Sequence, residues 1–375
     1  MIDFGNFNIL SNDKCSIDES IFLLPKEILD NVISLTENNV YDLCQINKYF
    51  NNNCKIIRII DNFKYPKLTD FNLMTLVNVV SIDLYHNLLI TNKGLKQLIH
   101  LTYLNLSRNE IITDEGIKEL INLKSLNLSY NELITDQGIN SLTNLKSLKL
   151  TRDWKNKKEK ITNEGIKNLT NLTALNLCQN YEITDEGIEN LNNLISINLN
   201  NNKKITDKAI KQLTNLTSLN IRNNEMITNE LVKELTNLTS LNLHHNDIIT
   251  NIAISELTNL ISLNVAGNFL IETNGIRGLV NLTYLDISGS DSISDKALKN
   301  LTKLRSLYLD SNEVITNRGI KRLTNLTNLS LSYNYMITID VIKKLTNITS
   351  FNLNNNYRMI LGTEGVENLT NLTVL

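Results

Sequence analysis

From Val79 onward, apolar residues return at fixed offsets. In the stretch that opens at Leu101 they fall at Leu101, Leu104, Leu106, Ile112, Ile117 and Leu120, and the phrase begins again at Leu123. Leu104 and Leu106 alternate with Tyr103 and Asn105, a period of two that predicts a short strand with one buried face. Ile112 follows as a further core residue. Ile117 and Leu120 lie three apart on one face of a short helix. Thr113 is placed to cap that helix, and Asp114 and Glu115 set negative charge at its start. Gly116 stands where eight units have Gly and three have Ala, which predicts close packing of helix on strand at some cost in helix propensity.

The phrase starts fourteen times between Val79 and Leu372, and eleven of the thirteen intervals are 22 residues. The unit at Leu145 is 27 residues long and the one at Ile348 is 24. Thirteen whole units thus occupy 79–371, and 372–375 open another. Asn closes the strand in eleven of the thirteen units, with Asp153 and Ser290 in the others. A side-chain amide there is expected to bond backbone groups in its own unit and in the next, so that stacked units form a ladder. One unit cannot bury its six apolar side chains alone. At about 1.5–3 kcal/mol for each side chain, that gain is collected only by stacking.

The repeated L-x-x-L-x-L-x-x-N resembles the signature of leucine-rich repeats over about four-fifths of the chain. The resemblance implies an α/β solenoid: a curved horseshoe with parallel strands on the concave side and short helices on the convex side. The phrases ITDEGIKEL (Ile112–Leu120) and ITDEGIENL (Ile183–Leu191) look like those of F-box-associated, cysteine-containing leucine-rich repeats. The 22-residue length is similar to that of bacterial internalins.

Residues 21–54 depart from the repeat and predict a small helical unit. Pro25 suits a helix first turn, Ile28, Leu29 and Ile33 share one face, and Val40, Leu43, Ile46 and Phe50 share another. Leu24-Pro25 with Glu27, the Ile28-Leu29 pair and Ile46-Asn47-Lys48-Tyr49-Phe50 resemble an F-box. That resemblance implies that Leu24, Pro25, Ile28 and Leu29 dock on the SKP-type adaptor of a cullin-RING (SCF-type) ubiquitin ligase. A plain helical cap on the first unit would show the same apolar spacing, and both readings stand. Residues 55–78 read as one degenerate repeat or cap, with its strand within Ile56–Asn62, and 1–20 as an irregular tail. The F-box-like opening, the repeats and the Asn-rich composition (62 Asn) together look similar to F-box/leucine-rich repeat proteins of mimivirus-like giant viruses and protists.

Charge and chemistry narrow the function. The chain holds 37 Lys+Arg against 39 Asp+Glu, a balance that argues against a dedicated nucleic-acid binder. It has no apolar run of membrane-spanning length. The first 20 residues lack a signal-peptide pattern, and Cys15, Cys44, Cys54 and Cys178 match no metal motif, so a reducing cytoplasmic location is expected, the host cytoplasm if the protein is viral. No nucleophile, phosphate-loop or metal motif occurs. His244 and His245, adjacent at a strand end, are expected to point apart. We therefore expect no enzyme, no cofactor and no catalytic or metal site.

The remaining expectation is a binding surface for a protein target on the concave face. Ser dominates the third position of the unit and Asn the fifth, while variety concentrates at the seventh, eighth and tenth. The residues singled out there are Arg108, Tyr130, Arg152, Arg222, His244, His245, Tyr333, Tyr335 and Tyr357, together with Tyr308 at a fifth position and Trp154 in the 27-residue unit. Arg and aromatic side chains carry most interface energy. Tyr308, Tyr333, Tyr335 and Tyr357 are expected to form one anchor group. The last stack face, with Val366, Leu369, Leu372 and Leu375, is expected to fray or to associate end to end.

Overall fold

The computed structural model describes residues 57–59, 69–74, 79–152, 160–356 and 369–373. The tail 1–20, the helical unit 21–54 with Leu24, Pro25, Ile28 and Leu29, and the side chains of Trp154 and Tyr357 lie outside the described residues.

Fourteen strands form one parallel sheet in chain order, from β1 (Ile57–Ile59) and β2 (Val79–Asp83) to β14 (Ser350–Asn352). Thirteen helices among the described residues alternate with them, from α1 (Asp70–Met74) and α2 (Asn92–Leu95) to α13 (Ile339–Ile342). Most strands have three residues and most helices four, lengths that have no stability alone. They persist because equivalent residues face one another: Leu241 pairs with Leu219 on one side and Leu263 on the other. All six apolar positions of the unit at Leu101 are fully buried in the interior between sheet and helices. Strands sit about 4.8 Å apart while a helix is about 10 Å wide, so the sheet takes the inner side of the curve. The 27-residue unit leaves this register intact, since Ser147 pairs with Ala174 and Leu148 with Leu175 across it.

Three side-chain ladders tie the units together. At the strand end, Asn109 accepts from its own unit's Ile111 and Ile112 N–H at 3.1 and 2.8 Å. It donates to the carbonyls of Asn87 at 2.9 Å and Leu84 at 3.4 Å, both in the preceding unit. The expected ladder therefore exists but reaches backward, not to the next unit. Its rungs from Asn202 through Asn356 are almost fully buried. A second ladder runs along the unit ends, where Asn122 donates to the Ile99 carbonyl at 2.9 Å and Asn144 to that of Ile121 at 2.9 Å.

The third ladder runs through the helix starts, where Thr113 stands at the N-cap and Asp114 and Glu115 in the first turn as expected. Asp114 accepts from the Thr135 N–H at 2.8 Å and hydroxyl at 2.6 Å, in the following unit. Its carboxylate thus joins neighbouring helices as well as lying at the head of its own. Thr135 then caps its helix through Gln137 N–H at 3.2 Å. Thr113 makes no such cap bond, because the preceding unit has Asn92, whose amide donates to the Thr113 hydroxyl at 2.7 Å and occupies it. The expected packing of Gly116 is corrected. A Cβ there would meet the Asn92 Oδ1 at 2.6 Å, so the tight approach is helix on helix, not helix on strand.

Candidate functional site

The outward positions of the strands and the turns that follow them make one continuous face. The fifth-position Asn turns inward on its own chain: Asn105 accepts from Ser107 N–H at 3.0 Å and Asn242 from His244 N–H at 3.0 Å. These bonds fix where the chain leaves the sheet. The eighth position then adopts a left-handed backbone in twelve units, with φ between 46° and 63°. Gly267 and Gly289 meet this without strain, whereas Arg108, Tyr130, His245 and Tyr333 hold it with full side chains. Arg152, next to the segment outside the described residues, lacks it. The variety at the eighth position thus sits on a sharp turn that throws the side chain to the rim of the sheet.

Three clusters result. Over the early strands, the Arg108 guanidinium lies 4.9 Å from the ring centre of Tyr130, a cation–π contact between neighbouring units. Arg152 donates to the Asn131 carbonyl at 3.2 Å. In the middle, Asn200 donates to the Cys178 Sγ at 3.4 Å, and Arg222 and His244 continue that column. Burial pushes the Cys178 thiol up, against smaller opposing effects of the Asn200 bond and the Arg222 charge. His244 and His245 do not point apart: their rings pack edge to face with centres 4.3 Å apart. The left-handed turn at His245, φ 48°, folds the second ring back onto the first. Burial, then Arg222 and His245, hold His244 below the usual imidazole range.

Toward the far end, Tyr308, Tyr333 and Tyr335 of the expected four-tyrosine anchor lie among the described residues. Tyr308 on β12 (Ser306–Tyr308) packs against Tyr284 on β11 (Tyr284–Asp286), with ring centres 5.3 Å apart and planes tilted by 43°. Burial, with Asp286 and Tyr308 close by, pushes the Tyr284 phenol up to about 12. Asp286 is held by Asn264 at 2.9 Å and Ser288 at 2.7 Å. Tyr333 and Tyr335 stand on the rim beyond the strand, partly exposed, with the Tyr335 hydroxyl 3.4 Å from the Asn355 carbonyl. Among the described residues no ring contact joins them to Tyr308. Tyr284 is not among the expected contact residues; it replaces the common Ser at a third position, whereas Tyr308 replaces the common Asn at a fifth. In the sheet Tyr284 pairs with Ser306 and Asp286 with Tyr308, so the two rings meet diagonally across neighbouring strands. Among the described residues no three His, Cys, Asp or Glu side chains converge as a metal set, and no helix is long and apolar enough to cross a membrane.

The family model for the leucine-rich repeat matches residues 97–121, 119–143, 168–192, 212–230, 278–301 and 300–323. No curated protein matches the chain. Among solved structures, an internalin from Listeria monocytogenes is 26% identical, covering 82% of this chain and 88% of its own, with a TM-score of 0.55. A leucine-rich repeat protein of Leptospira interrogans is 25% identical, covering 90% and 92%, with a TM-score of 0.58. The yeast Rad7–Elc1 complex aligns at 19% identity, covering 93% and 91%, with a TM-score of 0.57, and shows the fold alone. In-register parallel strands, the backward-reaching Asn ladder and these likenesses agree. The chain carries leucine-rich repeats and folds as a leucine-rich repeat solenoid, the architecture of a protein–protein interaction scaffold.

Proposed function

We propose that this scaffold is the substrate-recognition adaptor of a cullin-RING ubiquitin ligase, with the repeats holding the target. In this reading the N-terminal unit recruits the SKP-type adaptor through Leu24, Pro25, Ile28 and Leu29. The observation that carries the target-binding half is the Arg, His and Tyr clustering along one rim of the sheet. The recruitment half is supported by the Leu24-Pro25-x-Glu27 opening and the Ile46–Phe50 phrase of the sequence. The second reading is an interaction module with no ligase link, favoured by the 22-residue period and the likeness to the internalin.

Co-precipitation with the SKP-type adaptor separates the two. The full chain should recover the adaptor, and the Leu24→Ala/Pro25→Ala variant should lose it while keeping its circular dichroism. A folded wild-type chain that recovers no adaptor leaves the second reading.

A further inference from the structure

Net charge conceals how the charges are sorted. Eight consecutive strands run from β3 (Tyr103–Asn105) to β10 (Ser262–Asn264). In their units the second, third, fifth, seventh and eighth positions hold no Asp or Glu. The same positions hold Arg108, Lys124, Lys146, Lys149, Arg152 and Arg222. Acids outnumber bases in the whole chain, 39 to 37, so the carboxylates lie on the turns and helices instead. The ion pairs follow this division. Lys118 pairs with Glu115 at 2.7 Å, Lys167 with Glu164 at 2.6 Å and Lys211 with Glu234 at 3.1 Å, all on the helix side. Among the described residues, Lys124, Lys146, Lys149 and Arg222 have no carboxylate partner.

Five of these six cations stand over three adjacent strands, from β3 to β5 (Ser147–Lys149). The outer two strands are about 10 Å apart at ordinary sheet spacing. Lys124, Lys146 and Lys149 are exposed there. Arg108 is steadied by the Tyr130 ring and Arg152 by the Asn131 carbonyl. Lys124 and Lys146 hold the same position in neighbouring units, where like charges repel one another.

We propose that this block binds an acidic segment of a protein partner, whose carboxylates meet Lys124, Lys146 and Lys149 while a neighbouring side chain rests on the Arg108–Tyr130 pair. The proposal rests on the array's being a protein-binding surface and adds the chemistry of what it holds. Charge complementarity selects the occupant, and the extent of the block selects its class. A nucleic-acid strand calls for cations that follow its phosphates along a groove. Here they stop after three strands, and β6 (Ala174–Asn176) and β7 (Ser196–Asn198) carry none at these positions.

The test uses the full chain, a short fluorescent Glu-rich peptide and a short oligothymidylate, read by anisotropy across a salt series. One variant reverses the sheet face (Lys124→Glu, Lys146→Glu, Lys149→Glu). A second reverses the helix side (Lys118→Glu, Lys167→Glu, Lys211→Glu) with the same change in net charge, and circular dichroism checks both folds. The peptide should bind, weaken with salt, and lose about tenfold or more in affinity only in the sheet-face variant. No peptide binding, or equal loss in both variants, would overturn the proposal. Tighter binding of the oligothymidylate through the same lysines would overturn it in favour of a nucleic acid. A protein target cross-linked to the concave face and indifferent to the sheet-face reversal would overturn this block's role while leaving the scaffold reading intact.

Discussion

Asparagine illustrates how one side chain does separate work at separate places in the repeat. At the strand end both ends of the amide are used. Asn224 is fully buried, donates to the Leu199 and Asn202 carbonyls at 3.2 and 2.8 Å, and accepts from Met226 and Ile227 N–H at 2.9 and 3.0 Å. At the unit end only the donor is used, and Asn237 makes a single exposed bond to the Thr214 carbonyl at 3.5 Å. Replacing Asn224 by Ala leaves two carbonyls, the buried Ile227 N–H and the half-buried Met226 N–H to find new partners. We expect it to cost about 3 kcal/mol or more in a urea titration, against about 1 kcal/mol or less for Asn237→Ala. Tyr284 gives a prediction in pH. Its phenol is pushed up to about 12 in the folded protein, against about 10 in an unfolded chain. Folding opposes its ionisation, so its contribution to stability is complete below pH 10 and is lost as pH rises from there through about 12. Tyrosinate absorbance should show a late component near pH 12 that disappears in Tyr284→Phe.

At the scale of elements, each helix depends on the one before it. The residue that opens α3 (Asp114–Ile117) orders the start of α4 (Asp136–Ile139), through two bonds from Asp114 to Thr135. Asp and Asn are both workable at this position, and Asn229 accepts from the Thr250 hydroxyl as Asp114 does from that of Thr135, but Asn92 turns the Thr113 hydroxyl the other way. Asp114 takes the Thr135 hydrogen and leaves the oxygen lone pairs to cap, whereas Asn92 donates to Thr113, which does not cap. Thermal unfolding should therefore show Asp114→Asn costing less than about 1 kcal/mol, while Asp114→Ala costs about 1–2 kcal/mol because the Thr135 N–H and hydroxyl lose their acceptor. An Asp114→Asn loss as large as that of Asp114→Ala would mean that the carboxylate acts through its charge alone.

At the scale of the molecule, a single interior runs the length of the stack and each unit touches only its neighbours. Strand order equals chain order throughout the sheet, so no contact depends on a distant return of the chain. Removing residues 216–237, one whole unit, joins a unit end to a unit start and should preserve the circular dichroism spectrum and cooperative unfolding. Removing only 216–226 joins a unit end to the middle of a unit, misaligns strand, Asn and helix together, and should abolish a folded spectrum over that region. Equal tolerance of both deletions would contradict in-register stacking.

The period and the buried positions were legible in the sequence because both follow from a local rule repeated thirteen times. Leu101, Leu104, Leu106 and Ile112 announce their burial by spacing alone, and the structure buries all four. The tertiary structure decided which neighbour each side chain serves. Asn109 reaches backward, Asp114 reaches forward, and Gly116 makes room for the preceding helix, none of which spacing within one unit can express. It also decided which residues meet across units. Tyr284 and Tyr308 are 24 positions apart in the chain yet share a contact, and His244 and His245 are adjacent yet stack only because the turn between them is left-handed. Hydrophobic spacing is a one-dimensional property and survives in a string of letters. Adjacency across a sheet arises only when that string is stacked in register.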